Sequence, residues 1–178
     1  FLFFIFTTIS SYSEIVKSVK INGNKRVSAE TINIYGEIKI NSEYSEKDIN
    51  KILNNLYSTN FFEDVKINLK NGVLNINLVE YPIINNLLIL GEESLKYKDQ
   101  IKKTIKSKLK DSFIKNNLSG DVDMITKMYA AAGYNFTTVV TKINKIDESN
   151  INLIFEVDKG EKTKISKITF TGDKKIRE

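Results

Sequence analysis

Hydrophobic and polar positions follow two different periods along this chain. Val65, Ile67 and Leu69 alternate with Lys66, Asn68 and Lys70. A period of two predicts a strand with one buried face. Asn71-Gly72 follows, the dipeptide that best accepts the two positive φ angles of a tight hairpin turn. Leu74, Ile76 and Leu78 then share one face of a return strand. Upstream, Ile49, Ile52, Leu53, Leu56 and Tyr57 recur at helical spacing and form an amphipathic face. Ser45 to Asp48 reads as the capping box of that helix, with Asp in the acidic place. Asn60 stands where the helix should stop, because Asn tolerates the left-handed conformation that ends helices. A shorter helix precedes it, with Ser28 as N-cap, Ile32 and Tyr35 as its apolar stripe and Gly36 at its end.

The same order recurs further along. Ile101 and Ile105 begin a helical stripe, and Val122, Ile125, Met128, Tyr129 and Ala132 form another, closed by Gly133. Residues 136–144 read as a strand and Asp147 to Asn150 as a turn. Ile151, Leu153, Phe155 and Val157 alternate in the return strand. Three apolar strands that run into a Gly turn head these stretches, with glycines at 23, 91 and 172, so 68 and 81 positions apart. That spacing is domain-sized and exceeds solenoid periods. The prediction is α+β: tandem β-α-α-β-β units, each a three-stranded mixed sheet with two helices on one face, because each amphipathic stripe needs an apolar partner. The divisions are 14–81, 82–159 and the start of a third unit over 160–178, with a first strand at Ile165 to Phe170. Pro82, the only proline, punctuates the first junction.

Composition narrows the chemistry. The 178 residues contain neither Cys nor His, which excludes Cys/His zinc sites, Cys nucleophiles and Ser-His pairs within the chain. The net charge is +5 and the pI about 9.1. Nucleic acid or an anionic surface is the partner class such a balance raises. The lysines, however, are spread among Glu and Asp, as on ordinary solvated faces, and do not form the clustered patch that nucleic-acid binding requires. Residues 1–13 begin with the apolar run FLFFIFTTI and end with Ser11 and Ser13 flanking Tyr12. This is the pattern of the later part of a secretory signal peptide, with cleavage after Ser13.

Several stretches resemble a known family. Ile21-Asn22-Gly23-Asn24-Lys25-Arg26-Val27-Ser28, with Thr31-Ile32 behind it, is similar to the opening of a POTRA domain. Leu56 to Val65 resembles that domain's helix-to-strand signature, and Val79 to Ile84 its junction with the next domain. Tyr129 to Tyr134 resembles the matching turn of a second domain, and Gly160 to Gly172 the opening of a third. The chain departs from the family at Asn60, Glu92 and Asp173, and residues 106–117 match poorly. The resemblance, which spans 14–178, implies the periplasmic part of an outer-membrane β-barrel assembly protein. Its implied partners are unfolded outer-membrane proteins, periplasmic chaperones and accessory lipoproteins. No cofactor, metal or enzymatic activity is expected, because the chain has no His, no Cys and no carboxylate constellation; the resemblance implies membrane contact through a C-terminal barrel only. The rival readings are another outer-membrane transporter carrying such domains, of the two-partner secretion or translocation assembly type, and a basic nucleic-acid-binding α/β module.

Three local features invite a functional reading. Glu63 and Asp64 could form a carboxylate pair, but neighbours on a strand point to opposite faces, so Phe61 or Phe62 is expected to anchor the core while the acids face water. Gly23-Asn24-Lys25-Arg26 could cradle phosphate but lacks the spacing of a phosphate loop, so a solvated turn is expected. The sheet edges matter more, because an edge strand can accept a guest strand through its free N–H and C=O groups. The resemblance places each unit's second strand at an edge. The candidate docking positions are Val65, Lys66, Ile67, Asn68, Leu69 and Lys70 in the first unit. Those in the second are Thr138, Val139, Val140, Thr141, Lys142 and Ile143. Lys66, Lys70 and Lys142 have an opposing reading as charges that block such pairing.

Overall fold

The computed structural model describes residues 13–169. The signal-peptide reading of 1–13 therefore falls, apart from Ser13, outside the described residues. Twelve elements follow in order: β1 (Glu14–Val16), β2 (Ser18–Asn22), α1 (Ala29–Gly36), β3 (Ser42–Tyr44), α2 (Glu46–Ser58), β4 (Phe62–Lys70), β5 (Val73–Glu80), β6 (Ile83–Leu90), α3 (Leu95–Thr104), α4 (Asn117–Ala131), β7 (Thr138–Lys145) and β8 (Asn150–Asp158). Two three-stranded sheets result, ordered β2-β5-β4 and β6-β8-β7. In each the return strand is central, parallel to the first strand and antiparallel to the second. The α+β fold class with two helices over each mixed sheet is as expected.

Local sequence explains most of these elements. Ser28 caps α1 by accepting from the Thr31 N–H, and the helix ends at Gly36. Ser45 and Asp48 form the reciprocal capping box of α2. Asn60 takes φ 58°, and Asn71 and Gly72 take 55° and 75° in the hairpin turn. Two separate cores form. One gathers Ile32, Ile52, Leu56, Phe62, Leu74 and Ile76, the other Ile84, Ile101, Ile125, Tyr129, Leu153 and Phe155.

Four expectations need correction. Tyr35 lies half-exposed outside the first core, edge-on to Phe61. Ile105 is buried but ends α3 in an extended conformation; the stripe that begins at Ile101 breaks there because the chain turns to cross the sheet. Phe136 precedes β7 and is exposed, since pairing begins only at Thr138 opposite Asp158. Residues 165–169 carry no strand. In each unit the first strand is held by pairing with its own return strand, and Ile165 to Thr169 have no such partner among the described residues; Phe170 lies beyond them. The small antiparallel pair β1-β3 has no counterpart in the sequence reading. Its Val16 is fully buried, and the Glu14 carboxylate accepts from the Gly72 N–H, tying the pair to the hairpin turn.

Candidate functional site

The candidate positions fall on β4 and β7, which the pairing places at one edge of each sheet. Hairpin geometry decides which groups are free. Lys70 and Val73 flank the two-residue turn, so they exchange hydrogen bonds, and pairing alternates from there. Lys66, Asn68 and Lys70 therefore point their backbone groups at β5, while Val65, Ile67 and Leu69 point theirs outward. In the second sheet Ile146 donates to the Asn150 carbonyl at 3.0 Å. Thr138, Val140, Lys142 and Asn144 consequently bond β8, and Val139, Thr141, Ile143 and Lys145 face outward. In both strands the residues with outward backbone groups turn their side chains toward the helices, because they lie opposite buried residues of the central strand.

The two edges differ. At β4 the first outward donor is occupied: the Val65 N–H donates to the Tyr57 hydroxyl at 3.1 Å. That hydroxyl lies 3.4 Å from Asp64 Oδ1, and Asp64 also pairs with Lys66 at 3.1 Å. The Lys66 and Tyr57 contacts hold the Asp64 carboxyl below its ordinary range. A bulge between Phe62 and Asp64 twists the strand at the same place. At β7 no hydrogen bond reaches the outward groups of Val139, Thr141 or Ile143 from outside the sheet among the described residues. Lys142 pairs with Glu156 of β8, at 2.7 Å, across the face away from the helices.

The remaining edges are the first strands. Residues 110–113 cover the start of β6. Lys110 donates to the Ile84 carbonyl at 2.8 Å, Ile84 donates to Asp111 at 2.9 Å, and Phe113 donates to Pro82 at 2.7 Å. Asp121 of α4, wholly buried, accepts from the Lys106 and Ser107 N–H groups at 2.6 and 3.1 Å and so anchors this crossing.

The other two sequence features resolve as structure. Phe62 is buried in the core and Glu63 is exposed on the bulge. The turn after Gly23 holds an anion, but an internal one. The Glu80 carboxylate accepts from the N–H groups of Lys25, Arg26 and Val27 at 2.9 to 3.2 Å, filling a backbone nest of the kind that binds phosphate elsewhere. In the second unit Glu92, directly after Gly91, does a related task. Its carboxylate accepts from the Tyr129 hydroxyl at 2.6 Å and from the Ser94 N–H at 2.8 Å, with Lys159 at 3.8 Å. Neither carboxylate was singled out from sequence; the partners lie too far apart along the chain to form a pattern.

Burial acts against the Glu92 charge, but the bonds from Tyr129 and Ser94 and the nearby Lys159 outweigh it and hold the carboxyl below its ordinary 4.5. Burial and the Glu92 carboxylate raise the Tyr129 phenol above its ordinary 10.0. The Glu92 contribution is present above pH 4.5 and lost as pH falls through the lower folded value. The Tyr129 contribution is present below pH 10 and lost as pH rises through the higher one. Glu92→Gln should therefore lower the unfolding midpoint at pH 7, and this difference from the parent should narrow below about pH 4. Urea titrations at both pH values measure it; a gap that widens in acid contradicts the assignment.

The family model for POTRA, surface antigen variable number repeat, matches residues 14–81 and again 82–160. The chain belongs to the POTRA family. Among curated relatives, the outer membrane protein assembly factor BamA of Neisseria meningitidis serogroup B is 26% identical over 161 residues, 89% of this chain and 20% of the relative. BamA of Neorickettsia risticii is 24% identical over 169 residues, 95% of this chain and 23% of the relative. The chain thus spans only about a fifth of the length of these relatives. Of solved structures, the N-terminal domain of Omp85 from Thermosynechococcus elongatus superposes with a TM-score of 0.54 at 15% identity, covering 85% of this chain and 65% of that one. This likeness shows the POTRA fold. No helix among the described residues is long and apolar enough to cross a membrane.

Proposed function

We propose that this POTRA chain is the periplasmic, non-enzymatic part of an outer-membrane β-barrel assembly protein, where it binds unfolded outer-membrane proteins and accessory subunits during folding and insertion. The two POTRA matches in tandem carry the reading, and the assembly factors to which the chain is similar set its direction. Free antiparallel edges supply a means, because an extended client can bond the outward groups of β4 or β7 as an added strand. In this reading residues 1–13 are a leader, 14–81 and 82–159 are the two POTRA units, and 160–178 open a third. A first unit that starts at Glu14 agrees with the bond from Gly72 to that carboxylate. N-terminal sequencing of the secreted chain should begin at Glu14, and retention of the first thirteen residues would count against the leader.

The direct test of docking uses proline. Ile67 and Thr141 have outward N–H groups, so proline there removes a docking donor without removing a ladder bond inside the sheet. Photo-crosslinking of an unfolded outer-membrane barrel protein to the chain should fall several-fold, by about one lost bond's worth or more, in the Ile67→Pro, Thr141→Pro double variant. Unchanged crosslinking in a variant that keeps its native circular dichroism would remove edge docking from the proposal.

A further inference from the structure

A cleft at the junction of the two units takes its walls from both. Arg26 and Phe61 line it from the first unit, and Lys106, Lys110, Asp111 and Ile114 from the second; its volume is about 310 Å³. The walls are tied to the short linker between β5 and β6. The Tyr81 N–H donates to the Phe61 carbonyl at 2.9 Å, and the Phe113 N–H donates to the Pro82 carbonyl at 2.7 Å. Behind the walls, Glu80 accepts from the Arg26 N–H and Asp121 from the Lys106 N–H. Cations therefore stand on both sides of a cleft whose backbone is already fixed, so a guest does not have to order it.

Charge selects the guest. The lining holds three cations and one carboxylate, Asp111. Lys106 and Lys110 take part in none of the ion pairs among the described residues. Arg26 meets Glu80 through Nε at 3.5 Å and lies over the Phe61 ring at 5.9 Å, which leaves its terminal amino groups for a further acceptor. The cleft on the other side of the junction has the opposite sign. Glu63, Glu80, Asp147 and Glu148 line it, with Lys145 as the one cation. An acidic guest is thus drawn to one side of the junction and repelled from the other. A bare phosphate group fits less well. The backbone nest at Lys25 to Val27 that would hold it is filled by Glu80, and the cleft offers side-chain cations beside the half-buried Phe61 and Ile114. Carboxylates carried next to apolar side chains match both features.

We propose that this cleft is a docking site for an acidic segment of a partner protein. Its carboxylates pair with Arg26, Lys106 and Lys110, and an adjoining apolar side chain rests on Phe61 and Ile114. The site lies apart from the β4 and β7 edges and does not depend on strand docking there.

Titration of the whole chain with a short acetylated and amidated peptide of glutamate and leucine, followed by amide chemical shifts, tests this. Shifts should gather at Asn60, Phe61, Lys110 and Ser112, in both units, and spare Lys145 and Glu148. Affinity should fall several-fold from low to physiological salt, and the same peptide with glutamine for glutamate should not bind measurably. The double variant Lys106→Gln, Lys110→Gln should weaken binding about fivefold or more while the unfolding midpoint stays at the parent value. Unchanged affinity in that variant, or equal affinity for the glutamine peptide, overturns the site. The Ile67→Pro, Thr141→Pro variant should bind the acidic peptide as the parent does; loss of binding there would move the peptide to the sheet edges and overturn the site as well. Phosphatidylglycerol vesicles form the last arm. Vesicle binding that needs the two lysines, with no binding of the peptide, would assign the cleft to a membrane surface and overturn the proposal.

Discussion

Gly91→Ala should unfold the second POTRA unit while leaving the first intact. Gly91 sits at the end of β6 with φ +79°, and a Cβ there would lie 2.0 Å from the Val157 carbonyl oxygen of the central strand. Real side chains never approach backbone that closely, so β6 would have to separate from β8. The left-handed conformation adds about 1–2 kcal/mol for any non-glycine residue. Together the expected loss is at least about 4 kcal/mol, the size reserved for severe backbone conflict. A unit of this size is worth only about 4–10 kcal/mol in all. Gly23 repeats the geometry in the first unit, φ +86° and 2.0 Å from the Leu78 carbonyl oxygen. Gly23 and Gly91, two of the glycines that mark the repeat in sequence, therefore each mark a place where two backbones meet without room for a side chain. Because the two cores share no residues, amide exchange should show the loss confined to β6, α3, α4, β7 and β8. A stability change below about 1 kcal/mol would mean that the strand end relaxes freely.

Removing the Asp121 carboxylate should cost about 3 kcal/mol and expose the β6 edge. Asp121 is wholly buried, and its two oxygens satisfy the N–H groups of Lys106 and Ser107. In Asp121→Ala the Ser107 donor is stranded in a buried place and the Lys106 donor in a part-buried one, and a stranded buried donor costs about 1–3 kcal/mol. Asp121→Asn keeps one acceptor but turns an amide toward the other donor, so its loss should be smaller but real. The consequence runs beyond stability. The anchored crossing continues into residues 110–113, which bond Pro82 and Ile84 at the start of β6. With the anchor gone, the Ile84 N–H should exchange faster while the β7–β8 hairpin keeps its protection. Wild-type exchange at Ile84 in Asp121→Ala would show that the crossing holds itself in place.

This crossing also shows where sequence reasoning ran out. Residues 106–117 match the family poorly and carry no periodic signal, because their order comes from backbone groups bonded to one distant carboxylate and one neighbouring strand. Tyr57 was legible only as part of an apolar stripe, yet it lies exposed outside the first core and its hydroxyl is engaged at a strand edge. Glu80 and Glu92 looked like ordinary acids beside junctions, yet each closes a loop in its unit. Such contacts join residues tens of positions apart and repeat with no period.

What the sequence determined by itself is the repeat and its parts. Alternation, helical spacing, the Ser45–Asp48 cap, the Asn71-Gly72 turn and the spaced glycines are all local. They follow from backbone preference and from which face of an element must leave water. Tertiary structure decided which edges of the sheets are free. Pairing order, the bulge at β4, the Tyr57 hydroxyl and the 110–113 cover arise only after strands and helices are assembled. Two units built from the same local signals therefore present different edges, because an exposed N–H is defined by what fails to reach it.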